Sequence, residues 1–165
     1  MDNLSPELSL IPLTKGKKTI VDKIDFEYIN QWKWSATRNR YGWTATRGEK
    51  KNGKYKVLYL HREIMKCRGD VDHIDRDQLN NSRKNLRECT KAQNNYNSGP
   101  KSKRKIKGIF QNRLRWRAEI RKNGKRHHLG CFASANEAAF AYNLAAKRYF
   151  GDFAFLNKLP IKNNA

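Results

Sequence analysis

The sequence predicts an α+β protein. A small N-terminal α+β region leads into a strand–loop–strand–helix unit, and a three-stranded antiparallel sheet packed on one helix comes after it. Three observations carry this. Asn52-Gly53 and Asn123-Gly124 each sit between runs of β-formers, and Asn-Gly is the dipeptide that tolerates the positive φ of tight hairpin turns. Thr90-Lys91-Ala92-Gln93 and Ser134-Ala135-Asn136-Glu137 place a hydroxyl at an N-cap and a longer polar side chain at N3, so each opens a helix. Finally, 36 Lys and Arg against 15 Asp and Glu in 165 residues leave a charge of +21, with mean hydropathy −0.97. So polar a chain cannot build one large core and should divide into small units with thin ones.

Residues 1–60 form the first unit. Asp22 precedes Lys23–Ile29, which has acids in its first turn and apolar Ile24, Phe26, Tyr28 and Ile29, a pattern that predicts a short helix. Tyr41–Thr46 and Tyr55–Leu60 flank Asn52-Gly53 and predict a hairpin, with Trp32 and Trp34 packed beneath it. In residues 61–97, Val71–Ile74 ends one strand, a turn-rich loop runs from Asp75 to Ser82, and Leu86–Cys89 makes a second strand. A helix from about Lys91 to Asn97 stops at Ser98-Gly99-Pro100, and residues 98–105 read as a basic linker able to lie along phosphates. Residues 106–157 hold strands at Lys107–Phe110, Trp116–Arg121 and Arg126–Phe132. The helix after Ser134 carries Ala138, Ala141, Tyr142, Ala145, Ala146 and Tyr149 at three- and four-residue spacing, a face small enough to lie close on a sheet. Gly151 ends it, and 158–165 is a tail.

Several function classes are excluded. Four Trp, seven Tyr and seven Phe argue against a disordered chain. No apolar run approaches a membrane span, and Met1–Glu7 lacks the basic start of a secretory signal, so a soluble, cytoplasmic protein with no membrane partner is expected. Cys67, Cys89 and Cys131 are odd in number and widely spaced, which fits neither a disulfide framework nor a zinc site. The charge is uneven. Residues 98–165 carry 16 basic and 3 acidic residues, whereas 61–97 carry 8 and 6. So basic a C-terminal region is the footprint of a polyanion binder. Carboxylates that persist in the near-neutral middle are placed to hold a cation.

Asp72, His73, Asn85 and Asn94 are the constellation that carries chemistry. Neighbours on a strand point to opposite faces, and the strand–loop–strand–helix order brings the helix back beside them. A carboxylate oxygen of Asp72 and an amide oxygen of Asn94 suit one hard divalent cation. His73 beside it can take a proton from water attacking phosphorus, and Asn85 on the loop's return limb can fix the His73 strand. An Asp-His pair alone would more often be structural. His61, at the end of an apolar strand, is an accessory candidate with a structural reading ahead of it. Asp75–Asn80 starts like a calcium loop, but Asn80 stands where Gly is required and Leu86 where the closing Glu belongs.

The run from Leu60-His61-Arg62 through Val71-Asp72-His73-Ile74-Asp75 to Asn85-Leu86-Arg87 and Asn94-Asn95 resembles the HNH endonuclease family, in particular small phage-type homing endonucleases. Ile11–Gly16 and Val21-Asp22 resemble the usual start of such proteins. The resemblance implies a ββα-metal fold over 61–97, with His73 as general base, Asp72 and Asn94 as metal ligands and Asn85 orienting the histidine. The helix residue is Asn where the motif's name has His, and no zinc-binding cysteine pairs accompany it.

Lys107-Gly108-Ile109, Trp116–Arg121, Leu129–Phe132, Glu137-Ala138-Ala139, Ala141-Tyr142, Ala145-Ala146 and Leu156-Asn157 resemble the plant ethylene-response-factor (APETALA-type) DNA-binding domain. That family lays a three-stranded sheet in the major groove, which implies DNA contacts from Lys107, Arg113, Arg115, Arg121, Arg126 and His128. Phe110, Asn112 and His128 stand where plant members usually show Arg, Arg and Trp, so the plant target sequence does not transfer. Together the two resemblances imply a homing-type endonuclease that hydrolyses double-stranded DNA with Mg²⁺, or Mn²⁺ in its place. It is expected to act as a monomer, with a dimer as the alternative. The rival is a DNA-binding transcriptional regulator with an inactive nuclease centre. An RNA-binding reading lacks any RNA-recognition motif.

Overall fold

Leu8–Pro12 (β1) and Lys18–Asp22 (β2) pair antiparallel in a hairpin that the sequence pattern does not announce. Its turn uses Lys15 at φ 60° and Gly16 at φ 63°, so a lysine occupies a left-handed position usually signalled by Asn or Gly. The computed structural model describes residues 7–100 and 106–159, and the chain divides into two compact units, 1–91 and 92–165. Residues 101–105 of the expected linker and 160–165 of the tail lie outside the described residues.

In the first unit, Lys23–Ile29 (α1) is the expected helix, but its inward face differs. Asp25 and Ile29 are buried while Ile24 is 82% exposed. The cause is an ion pair. Asp25 accepts from Arg83 Nε and Nη2 at 2.8 and 2.7 Å, which turns the polar residue inward and the isoleucine out. Ser35–Asn39 (β3), Gly42–Lys51 (β4) and Lys54–Tyr59 (β5) form a sheet in the order β3-β4-β5, with the Asn52-Gly53 turn where the sequence places it. Trp34 is buried in the core and donates its indole N–H to Ile29 O at 2.9 Å, while Trp32 packs at the margin under the Arg47 guanidinium. Leu60–Met65 (α2) comes directly after β5, so His61 lies on a helix and not at a strand end. Asp70–His73 (β6) and Leu86–Cys89 (β7) then pair antiparallel. One core joins Ile11 and Val21 of the first hairpin to Leu60, Val71 and Leu86, running through position 60 without a break.

The second unit begins with Lys91–Asn97 (α3), all but its first residue. Tyr96 stacks on Phe150 with ring centroids 3.9 Å apart, and the Lys107 ammonium donates to Tyr96 O and Ser98 O at 2.8 and 2.6 Å. So short a helix is marginal alone, and these contacts hold its C-terminal end. Ile109–Asn112 (β8), Arg115–Lys122 (β9) and Lys125–Phe132 (β10) form an antiparallel sheet with β9 central. Ala135–Phe150 (α4) covers it with Ala138, Ala139, Tyr142 and Ala146, whose small side chains permit close approach. The expected capping box is present in part: Ser134 Oγ accepts the Glu137 N–H at 3.2 Å, while the Glu137 carboxylate reaches the Ala133 N–H. Asn157 is a double latch. It exchanges hydrogen bonds with the backbone of Lys107 at 2.7 and 3.0 Å, and its own backbone exchanges two with the Asn143 amide. Among the described residues no helix is long and apolar enough to cross a membrane.

Gly108 has φ +73°, and a Cβ there would lie 2.3 Å from the Tyr142 ring and 2.5 Å from Glu119 O. The backbone oxygen cannot move aside. Gly108→Ala should destabilise the C-terminal unit by at least about 2 kcal/mol, combining left-handed strain with overpacking. Thermal unfolding should show a lowered transition for that unit and an unchanged one for the first.

Candidate functional site

The site grows from the β6–β7 hairpin, whose register sets Asp72 opposite Arg87 and His73 opposite Leu86. Both Asp72 and His73 are buried. A buried carboxylate requires a partner, and Arg87 supplies one, with Nε and Nη2 at 2.9 and 2.6 Å from Asp72 Oδ2. His73 Nε2 lies 3.0 Å from Asn81 Oδ1, and its ring meets the His61 ring edge-on at 5.0 Å. Burial lowers the His73 pKa, with the Asn81 bond and the charges of Asp75, Asp72 and Asp77 opposing. His61 is lowered to about 3 by burial, by His73 and by Arg62. Both imidazoles are therefore neutral at physiological pH.

Asn85 acts on the main chain just after His73. Its Oδ1 accepts the Asp75 N–H at 3.0 Å, its Nδ2 donates to Asp75 Oδ1 and Asn80 O, and its carbonyl accepts the Ile74 N–H at 2.9 Å. The side chain hydrogen-bonded to His73 Nε2 is Asn81. Sequence reasoning misses it because Asn80 and Asn81 are adjacent and nothing local distinguishes them; Asn80 instead donates to Asp75 Oδ2. Asp75 and Asp77 accept backbone N–H groups of Asp77 and Leu79, so these carboxylates shape the turn in place of a calcium loop. The polar loop is held from the side by β2. Ile20 donates to Leu79 O and accepts from the Asn81 N–H, both at 2.8 Å. Asp22 accepts the Arg83 N–H where a 3-10 turn, Arg83–Asn85, starts the return limb.

The structure thus gathers Asp72, His73, Asn85 and His61 in the first unit, whereas Asn94 lies on α3, which folds with the second. Among the described residues no three His, Cys, Asp or Glu side chains are grouped for a metal. A carboxylate oxygen, such as those of Asp72, and an amide oxygen, such as that of Asn94, are each hard donors of the kind that suits Mg²⁺ better than a softer ion. Cys89 is buried and its thiol is pushed up to about 11, first by burial and then by Asp72 and Asp70, so it stays protonated at neutral pH.

In the second unit, register defines the outer face of the sheet. Phe110 lies opposite Arg117, Asn112 opposite Arg115, Arg121 opposite Arg126 and His128 opposite Glu119, while Ala118 and Ile120 face α4. Arg115, Arg121, Arg126 and His128 line the strands there, and Arg113 sits in the β8–β9 turn at φ 51°. Lys107 is the exception, half-buried with its ammonium on the carbonyls that end α3. Glu119 and Arg117 of this face go unread in the sequence. Glu119 forms ion pairs with Arg117 of its own strand at 3.0 Å and with Arg126 across the sheet at 3.7 Å, the second visible only once register is known.

Comparison with known proteins places these features. The family model described as HNH endonuclease matches residues 68–96. Over 160 residues the chain is 31% identical to a protein of Acanthamoeba polyphaga mimivirus described as an uncharacterized HNH endonuclease, across 92% of this chain and 80% of that protein. A further similarity is local: 45 residues, 26% of this chain and 14% of the relative, are 56% identical to the dehydration-responsive element-binding protein 2E of Oryza sativa subsp. japonica. No solved structure matches.

His61 generates a pH prediction. It protonates near 6.5 in the unfolded chain but only near 3 in the fold, so below 6.5 the unfolded state binds the extra proton. The stability it contributes is complete above 6.5 and is lost as pH falls toward about 3. Urea midpoints measured from neutral to acid pH should fall less steeply for His61→Gln than for the wild type. Parallel curves would remove His61 as the acid-sensitive group.

Proposed function

The chain belongs to the HNH endonuclease family, enzymes that cleave DNA, and on that premise we propose a metal-dependent, homing-type nuclease delivered to its target by the outer face of its C-terminal sheet. His73 carries this reading. It is a buried neutral imidazole beside a buried carboxylate, at the end of β6 where a hydrogen-bonded loop begins. A neutral imidazole can accept a proton from water as that water attacks phosphorus. Asp72 and Asn94 are the proposed metal ligands. The Mg²⁺ or Mn²⁺ they would hold supplies electrostatic stabilisation of the charge that builds on the phosphate and leaving oxygens. Asn85 keeps the turn after His73 closed, and Arg87 orients Asp72 through two hydrogen bonds. One such centre per chain cuts one strand per encounter, so a monomer nicks. The work is done on double-stranded DNA in the cytoplasm of the host cell.

The C-terminal unit is proposed as an APETALA-type reader of double-stranded DNA. A β-sheet enters the major groove when one face offers donors, and Arg115, Arg121 and Arg126 supply them at register positions that alternate with the core. The local similarity to a plant protein named as element-binding supports the same assignment. One observation favours the rival, a regulator with a silent centre: Arg87 already neutralises the Asp72 oxygen it grips. Plasmid nicking with and without EDTA separates the two readings. Metal-dependent nicking supports the enzyme, and its absence beside intact DNA binding supports the regulator.

His73→Ala should lower nicking by at least about 10²-fold, the usual loss with a general base, while DNA binding in EDTA stays at the wild-type level. Asp72→Asn or Asn94→Ala should shift the Mg²⁺ titration to higher concentration, and an unchanged titration would free these residues of the metal role. On the sheet, Arg115→Ala should flatten the slope of log K against log salt by about 0.9 if it neutralises one phosphate. Arg121→Ala should instead relax base preference by about 1–3 kcal/mol, if it grips a guanine edge. Binding to specific and random duplexes over a salt series distinguishes these outcomes.

A further inference from the structure

The reading of His73 as general base leaves open which ring nitrogen takes the proton, and the hydrogen bonds around it decide. Thr19 Oγ1 donates to Leu79 O at 2.7 Å. A carbonyl oxygen only accepts, so the single hydroxyl proton is committed there. The same oxygen lies 2.7 Å from Asn81 Nδ2 and must therefore accept from it. That amide nitrogen also faces Gln78 O at 3.3 Å, a second group that only accepts. Rotating the Asn81 amide by half a turn would set its oxygen against both. The amide is thereby fixed with Oδ1 toward His73 Nε2 at 3.0 Å. An amide oxygen only accepts, so Nε2 carries the hydrogen. Thr19 is 0% exposed, Asn81 1% and His73 6%, which keeps water from substituting for any member of the chain. Asn85 cannot do this work, because both ends of its amide are engaged with Asp75 and Asn80.

We propose that Thr19 and Asn81 are positioning residues that hold neutral His73 in its Nε2–H form, making Nδ1 the nitrogen that receives the proton. The inference rests on His73 being the general base. As the water oxygen bonds to phosphorus, its O–H bond breaks and that proton passes to Nδ1. The scissile P–O bond breaks with its electron pair on the leaving oxygen, which is protonated by bulk water. The imidazolium then returns its proton to solvent. While the ring is charged, the Nε2–H bond to Asn81 Oδ1 is charge-assisted and strengthens, so the same contact that selects the tautomer also stabilises the proton-bearing ring. The N-terminal hairpin thus reaches the reacting centre through two side chains, Thr19 on β2 and Asn81 on the loop.

The test uses full-length protein with ¹⁵N-labelled histidine, in EDTA, at a pH above the imidazole titration range. Long-range ¹⁵N–¹H correlation distinguishes a protonated from an unprotonated ring nitrogen, and the His73 signals are identified by their loss in His73→Ala. The wild type should show Nε2 protonated and Nδ1 not. Asn81→Ala should mix or invert the tautomers and lower kcat by about 10–100-fold, the usual range for an outer-shell partner, with KM for DNA unchanged. Thr19→Val should move both readouts in the same direction, whereas Thr19→Ser, which keeps the hydroxyl, should restore them. An Nδ1–H spectrum in the wild type overturns the proposal. So does an Asn81→Ala protein with wild-type tautomer and kcat. If Asn81→Ala does not fold, the wild-type spectrum and the Thr19 pair decide alone. Undiminished nicking by His73→Ala sinks the general-base reading itself, whatever the tautomer. An inactive His73→Ala beside a fully active Asn81→Ala with unchanged tautomer sinks only this inference.

Discussion

The loop between β6 and β7 is polar along most of its length, and it buries its backbone and amide groups by pairing laterally with β2. Ile20 exchanges backbone hydrogen bonds with Leu79 and Asn81, while Asp22 and Asp25 hold Arg83 at its main chain and its guanidinium. Such a loop has too little apolar surface to order itself, and each buried N–H or C=O left without a partner would cost about 1–3 kcal/mol. The first hairpin therefore acts as an edge along which the β6–β7 loop is held. His73, Asn85 and Asp72 keep their geometry because the chain before them is already strand.

This dependence explains which features are legible in the sequence. The α+β class, the Asn-Gly turns, β6, β7 and the long final helix are legible because their signals are local: a dipeptide, an alternation, a cap such as Ser134. The burial of Asp72 and His73 side by side on β6 is a structural finding, whereas in the sequence only their residue types single them out. The hairpin at 8–22 is not legible, because its turn places Lys15 where a signal residue would stand and only Ile11 of β1 is fully inside. Ile24 misleads because helix periodicity assumes that apolar side chains choose the buried face, whereas an ion pair between Asp25 and Arg83 chooses it. Asn81 and Arg87 are silent because their partners are set by loop closure and strand register.

On the C-terminal sheet the same distinction separates composition from placement. Excess charge announces a polyanion partner, but the position of Glu119 between Arg117 and Arg126 emerges only from the register. In both pairs the Glu119 side chain is only 11% exposed, while the arginine side chains are more exposed. Their effect is on direction: a carboxylate between two guanidiniums limits where those forks can point. A planar donor that is already aimed loses less freedom when it meets its acceptor.

The placement of α3 has a consequence for modularity. Sequence motifs draw the seam between the two units after Asn97, where Ser98-Gly99-Pro100 breaks the helix. Tyr96 on Phe150, and Lys107 on the last carbonyls of the helix, draw it earlier, just after Lys91. A recombination event that kept residues 1–97 and exchanged the remainder of the chain would inherit α3 without the ring and the ammonium that finish it. Exchange between members of such a family is then constrained to carry the helix along with the C-terminal unit. The helix that bears Asn94 travels with the sheet that follows it, whatever the origin of its motif.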